Sequence, residues 1–378
     1  MARTPTAPVN PSVLIWGREV AGFDVAEVAR RLKTKPERVV EWETGEAAPS
    51  LAQLRGLAGL YRRPPALFFL ATPPPDDLRQ PPDFRGGDRQ GRLSPALRLE
   101  LRRATDRRAA FLELHGPLAN RLSALDFDPA QVERSAEHLR LALDVPLARQ
   151  LAAADSNAAL RLWVEAAEAA GVLIFQMSRV PQSECRGFSI HETVLPVVVL
   201  NGADPPQARI FTLIHEVGHI LQKTGSLCLL WADEAVERRC NALAAEVLMP
   251  RSEFLGELGR EDPYAAIPRL ATRFRVSREA AAVRLRVLGR ITSDQLAEVR
   301  AATADRIDAE REAQRGVEGG PPHHRTHLRN LGANYVNAVL DAWHDGDITV
   351  VDAAYYLESK VSTIERMEAE LLGRETKR

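Results

Sequence analysis

The sequence predicts a mainly α protein with a small β-sheet, an α+β chain of several units. Ala, Leu and Arg dominate and only 6% of residues are aromatic, a composition that favours helices. Apolar residues recur at three- and four-residue spacing along most of the chain. Three short apolar or β-branched runs, Val172–Gln176, Arg186–His191 and Pro196–Leu200, read as the strands of one small sheet. At ~100–200 residues per domain, 378 residues imply two to four domains. With 50 basic and 51 acidic residues the chain is no bulk polyanion binder. Three cysteines, Cys185, Cys228 and Cys240, lack zinc-finger spacing and read as reduced thiols. The first thirty residues lack a secretory apolar core, and no run of ~18 apolar residues occurs. A cytoplasmic protein with no membrane partner is expected.

Residues 12–62 read as four short helices: one from Val13, then Val25–Leu32, Pro36–Glu43 and Leu51–Tyr61, with turns at Lys33-Thr-Lys and Gly45–Pro49. The string Ala29–Gly45, with Pro49 after it, resembles the helix-turn-helix of XRE/Cro-type repressors, which implies a third helix that enters the major groove. Lys35 and Arg38 would be the DNA contacts, but Glu37 and Glu41 would face phosphates from the same helix. Residues 1–62 hold nine Lys/Arg against seven Asp/Glu, hardly a basic footprint, so DNA binding and protein contact both stay open. Arg62–Leu70 is expected to close the module, residues 1–71, as a terminal helix.

Residues 72–92 read as a Pro-rich linker; within it Pro82-Asp-Phe-Arg85 carries no chemistry of its own. A helical connector is expected at 93–155, with Leu97, Leu101, Ala104 and Leu112 at helical spacing. Its Arg98–Arg108 stretch is expected as a solvated face.

The region 156–260 opens with a helix, Ala158–Ala170, ended by Gly171, and runs through the three strands. It then reaches Phe211-Thr-Leu-Ile-His-Glu-Val-Gly-His-Ile-Leu221. His215 and His219 are four apart, so on a helix both imidazoles leave one face, and Glu216 sits beside them. This is H-E-x-x-H: two neutral imidazoles for Zn²⁺ and a carboxylate next to the water it would hold. A bare motif of this length arises by chance in on the order of one chain in a hundred, so a third ligand is needed. Eighteen residues past His219 lies Glu237, on a second helical stretch, Asp233–Leu248, stopped by Pro250. Asn241 stands one turn on, placed to orient a ligand imidazole. The plain alternative is a solvated Glu on an amphipathic helix. Among the carboxylates of this helix, Glu234 falls in the first turn, where acids suit the helix dipole, and Glu246 lies nine residues beyond Glu237.

The runs Pro196–Asn201, Arg209–His219 and Glu237–Pro250, in this order and spacing, resemble the ImmA/IrrE-type zinc metallopeptidases, bacterial proteins that cleave transcriptional repressors. The resemblance implies a zincin-like peptidase domain flanked by helix-turn-helix-like modules. It also implies a His₂Glu metal site of His215, His219 and Glu237, with Zn²⁺ as the cofactor and Mn²⁺ as the alternative. Glu216 would be the catalytic base, and a DNA-binding repressor the substrate, in a stress-response or mobile-element switch. A DNA-binding regulator whose peptidase-like domain is a sensor or scaffold is the other reading. Arg186 and His191, on or beside the second strand, are candidates for substrate or oxyanion contact; for His191 a solvent-exposed loop position is the plainer reading.

Residues 261–310 suggest a second helix-turn-helix-like unit, Ile267–Gly289, dense in arginine. DNA binding, repressor capture and a structural helix pair each fit it. A Gly/Pro-rich linker is expected at 311–325 and a small helical unit at 326–378. His323, His324 and His327 read as a fortuitous cluster, with no acidic or Cys partner near.

Overall fold

The computed structural model describes residues 5–75, 93–224, 234–314 and 322–375. The chain is mainly helical with one three-stranded sheet, and it forms two units, Met1–Arg103 and Ala104–Arg378. Pro82–Arg85 and Cys228 lie outside the described residues.

The N-terminal unit contains α1 (Pro11–Val20), α2 (Val25–Leu32), α3 (Pro36–Thr44) and α4 (Leu51–Tyr61). Turn chemistry sets their ends. Asp24 caps α2 through the Glu27 amide at 2.6 Å, Ser50 and Gln53 form a capping box on α4, and Gly45 ends α3 at φ 82°. Val13, Val28, Val39, Trp42, Leu57 and Tyr61 are buried together, each large side chain contributing about 1.5–3 kcal/mol. Arg18 clamps Glu43 at 2.7 Å across α1 and α3. The expected terminal helix at 62–70 is instead a single 3₁₀ turn, Pro65–Phe69. Pro64 and Pro65 supply no amide donors, so an α-helix cannot propagate through them; the turn still seats Phe68 in the core at 0% exposure.

Helix α5 (Pro95–Leu114) carries residues of both units. The expected solvated Arg face on it is not seen. Arg98 and Arg107 are buried; Arg107 pairs with Glu358 at 2.8 Å and lies over the Phe175 ring. Arg108 donates to the Val194 and Leu195 carbonyls. Long apolar stems let arginine enter a core when the head finds acceptors.

In the second unit α6 (Val132–Ala142), α7 (Leu147–Leu151) and α8 (Ser156–Ala169) precede the sheet. Strands β1 (Leu173–Met177), β2 (Gly187–Ile190) and β3 (Val197–Asn201) lie in the order β1-β3-β2, with β1 parallel and β2 antiparallel to β3. Strands β1 and β3 are buried throughout, which is why their sequences are continuous apolar runs instead of alternating ones. Helix α9 (Pro206–Leu221) follows, then α10 (Glu234–Leu248). Pro206 starts α9 where its missing amide costs nothing. Helices α9 and α10 meet at Gly218, where an added Cβ would press on Cys240, 3.3 Å from its Sγ. Far from being a separate connector, residues 122–145 join this core, with α6 packed on α10 and Leu139 and Val145 fully buried.

The C-terminal end of α10 is held by buried polar side chains. Arg140 donates to the Val145 carbonyl at 2.7 Å and the Val247 carbonyl at 2.8 Å; Gln150 donates to Leu248 and Phe274. Arg284 takes the Met249 carbonyl and pairs with Glu246. Carbonyls that a helix end leaves without partners are thereby satisfied in the interior. Then come α11 (Arg251–Leu258), α12 (Ile267–Phe274), α13 (Arg278–Val287) and α14 (Ser293–Gln314). Residues 311–314, expected in a linker, continue α14, because Arg, Glu, Ala and Gln are good helix formers. Helix α15 (His323–Leu331) likewise begins inside that expected linker, directly after Pro322. It is followed by α16 (Ala333–His344), α17 (Val350–Tyr356) and α18 (Val361–Glu375). No described helix is long and apolar enough to cross a membrane.

Candidate active site

Helix α9 presents His215, Glu216 and His219, and α10 brings Glu237 to them. The Nε2 atoms of the two histidines are 3.1 Å apart. Glu237 places Oε2 3.3 Å from Nε2 of His215 and Oε1 3.2 Å from Nε2 of His219. Among the described residues this is the one cluster of His, Cys, Asp or Glu able to hold a metal ion.

The remaining ring nitrogens fix which lone pairs point inward. Asn241 Oδ1, an acceptor, lies 3.0 Å from Nδ1 of His215, so Nδ1 carries the proton and Nε2 a lone pair. Thr224 Oγ1, whose own hydrogen goes to the His219 carbonyl, accepts from Nδ1 of His219 at 3.1 Å. Three lone-pair donors therefore face one point, each imidazole oriented from behind, as a divalent cation requires. Glu237 Oε1 is buried and makes no well-directed hydrogen bond, although Nε2 of His219 is close. An orphaned oxygen facing two imidazole lone pairs fits a cation better than a closed hydrogen-bonded cluster.

Electrostatics follow the geometry. Burial pushes the Glu237 carboxyl up, but the favourable field of the His215 and His219 imidazoles outweighs it and brings it down to about 2. Burial lowers His215, yet the carboxylates of Glu237 and Glu216 raise it above its ordinary value. Glu216 is 2% exposed, and burial lifts its carboxyl above the usual range against the pull of His215, His219 and Ser189.

Ser189, on β2 and 0% exposed, donates its hydroxyl to Glu216 Oε2 at 2.8 Å. Sequence reading did not single out this contact; nothing in the sequence marks a serine that meets its partner across a sheet-to-helix contact. Gly187, two residues before it, lets α9 approach: a Cβ there would come within 2.5 Å of Thr212 Cγ2 and 3.0 Å of the Val199 carbonyl oxygen.

The site opens into a cleft of about 780 Å³. Helix α9 lines it with Ala208, Phe211, Thr212, His215 and Glu216, and β2 with Arg186 and Gly187. Helix α10 adds Glu237, Asn241, Ala242 and Ala245, with Met249 just after it, and α13 adds Ala280, Val283 and Val287. Arg186 is thus in the cleft. His191 is not among its lining residues; it is half-buried, with its Nδ1 buried and unbonded. Glu234 points to solvent and pairs with Arg238 at 3.2 Å, and Glu246 is engaged with Arg284. His327 Nε2 lies 2.7 Å from the Leu357 carbonyl, with His323 stacked on its ring. On α3, Lys35 is exposed and Arg38 pairs with Glu41 at 2.5 Å.

A family model described as an IrrE N-terminal-like domain, of the M78 peptidases, matches residues 167–286. That span holds the whole sheet, α9, α10 and all but the last residue of α13, and so all four residues at the candidate centre. It points to a metallopeptidase-like domain in a family of generally metal-dependent peptidases. No curated protein matches the chain.

Proposed function

We propose that this chain is a zinc-dependent endopeptidase that cleaves a DNA-binding transcriptional repressor, the trigger of a stress-response or mobile-element switch. The observation that carries the reading is one constellation: the His215, His219 and Glu237 donors facing one point, with the buried carboxylate of Glu216 beside them. Two imidazoles and a carboxylate with a position left open are a catalytic zinc donor set, and nitrogen donors favour Zn²⁺ over harder cations. When bound, Zn²⁺ supplies Lewis acidity, polarising a peptide carbonyl and bringing a water's pKa towards ~7.

The chain's own groups do the rest. Glu216 takes the proton of the attacking water on its carboxylate and passes it to the leaving amine. Ser189 fixes one oxygen of that carboxylate, which leaves the other for the proton. The amide of Asn201 bonds to the Arg186 carbonyl, and β2 pairs antiparallel with β3. By the alternation of such ladders, Gly187 and Ser189 turn their backbone groups to the free edge of β2. An extended substrate adding to that edge would lie along the cleft. The N-terminal unit we read as a helix-turn-helix-type module. Its Arg38 is occupied by Glu41, which favours protein contact over phosphate. A purely scaffolding domain would have no use for a buried, hydrogen-bonded Glu216.

The test is to incubate the zinc-loaded chain with the repressor encoded beside it and look for two fragments. Glu216→Gln should retain zinc and lose about 10²–10⁴-fold in rate, since it removes proton transfer and not a ligand. An intact repressor with the wild-type chain, or zinc lost from Glu216→Gln, would count against the assignment.

A further inference from the structure

One part of the cleft does nothing for the metal. Along α10 and the residue after it the lining runs from Glu237 to Met249; at about 1.5 Å per residue that spans about 18 Å, the length of about five residues of extended peptide. Beyond the metal end the facing walls are Ala242 and Ala245 on α10 with Met249 just after it, and Ala280, Val283 and Val287 on α13. The charges nearby are already matched. Arg284 is bonded to Glu246 and the Met249 carbonyl, and Glu279 is held by Arg300 at 3.0 Å. Three alanines on facing helices leave space where larger residues would have closed the gap. Val287 keeps 73% of its surface exposed, apolar area that gains by being covered.

We propose that this α10–α13 trough is a recognition subsite of the peptidase, taking one large apolar side chain of the substrate about three or four residues from the scissile bond. The distance follows from Ala245, eight residues from Glu237 along α10, or about 12 Å. The inference rests on the peptidase reading and extends it. The trough is continuous with the metal end, and a strand laid on the β2 edge beside Gly187 would bring its side chains past it. It also gives α13 a role. Its Ala280, Val283 and Val287 line the cleft, while Ala281, Ala282 and Leu285 pack into the core.

The experiment uses the zinc-loaded full chain on a library of peptides from a denatured bacterial proteome, with the new termini sequenced. Leu, Ile, Met or Phe should be enriched at one position about three or four residues from the cut. In the best peptide, Ser at that position should lower kcat/KM by about ten- to hundredfold, the worth of burying one such side chain. Ala245→Phe, which fills the trough, and the milder Val283→Thr, which makes it polar, should retain zinc and flatten the preference. Cleavage with no apolar preference at that distance, or a preference unchanged in both variants, overturns the subsite and leaves the peptidase reading standing. If the wild type cuts nothing, the peptidase reading fails on its own. The subsite is then judged by binding of the labelled Glu216→Gln chain to arrayed decapeptides that carry a single Leu, Phe or Ser in an Ala-Thr background. Binding that ignores that residue, or that survives Ala245→Phe unchanged, sinks it.

Discussion

The single sheet of this protein has two edges, and they are treated in opposite ways. At the β1 edge the C-terminal helices close in: α15 packs on the strand, Tyr335 meets Phe175 edge-on at 5.8 Å, and Gly332 comes so near that a Cβ would lie 2.4 Å from the Ile174 carbonyl. The β2 edge faces the cleft, with Gly187 in its lining and Ser189 bonded to Glu216. Unpaired strand edges invite unwanted pairing, so proteins cover them unless an edge has a use. One edge here is sealed by a small helical unit, and the other is kept next to the candidate catalytic carboxylate.

The largest effect should come from the centre beside the open edge. Glu237→Ala removes one of three donors, so the purified variant should lack zinc and be inactive, with the sheet and both its edges intact. Glu234→Ala should behave as wild type, because that side chain is 90% exposed and pairs only along its own helix turn. Zinc analysis giving the reverse order would move the third ligand to Glu234.

Ser189→Ala sharpens the contrast by loosening the open edge alone. A hydrogen bond to a charged group is worth about 1.5–3 kcal/mol, and part of the carboxylate's orientation survives through burial. A fall in kcat of about tenfold is expected, with KM and zinc content little changed. A change in KM alone would mean that Ser189 holds substrate and leaves Glu216 indifferent.

The candidate centre was far more legible in the sequence than the covered edge. His215, Glu216, His219, Glu237 and Asn241 lie at helical spacings on two helices, so their mutual placement needs only that the helices form and pack. Ser189 is 27 residues from its partner, and no local pattern reports that distance. The same holds for Arg107, whose carboxylate partner is Glu358 at the far end of the unit; an Arg-rich stretch looks like a wet face until such a partner is known. Local turn signals placed α2 and α4 to the residue. They fell short at Pro65–Phe69, where two prolines shortened a helix, and at residues 311–314, where good helix formers extended one.

On the closed edge, Gly332→Ala should lower stability. Gly332 holds φ 75° and ψ 147°, a region that side-chain-bearing residues enter at about 1–3 kcal/mol, and the added methyl meets backbone that cannot yield. A Tm drop of about 5 °C is expected, with earlier proteolytic release of the C-terminal helices and no direct effect on zinc. An unchanged Tm would show that α15 and α16 can shift away from β1 without loss.

The remaining prediction concerns how that closure responds to pH. Glu168, on α8, is 5% exposed. Burial raises its carboxyl to about 8, against backbone hydrogen bonds from Asn334 and Ala333 at the start of α16. Its Oε1 has no hydrogen-bond partner. The unfolded value is ~4.3, so between the two values the folded chain holds a proton that the unfolded chain has released. The stabilisation from the neutral carboxyl is therefore complete below ~4.3, drains as pH rises, and is gone once pH passes about 8. Glu168→Gln keeps a neutral acceptor at every pH. The Tm of the wild type should fall relative to that of Glu168→Gln across this window, and the gap should stay constant on either side of it. Groups common to both chains cancel in the difference. Parallel curves would mean that Glu168 is ionised in the folded chain, its charge held by the amino end of α16, and the covered edge would then rest on a charge-assisted cap.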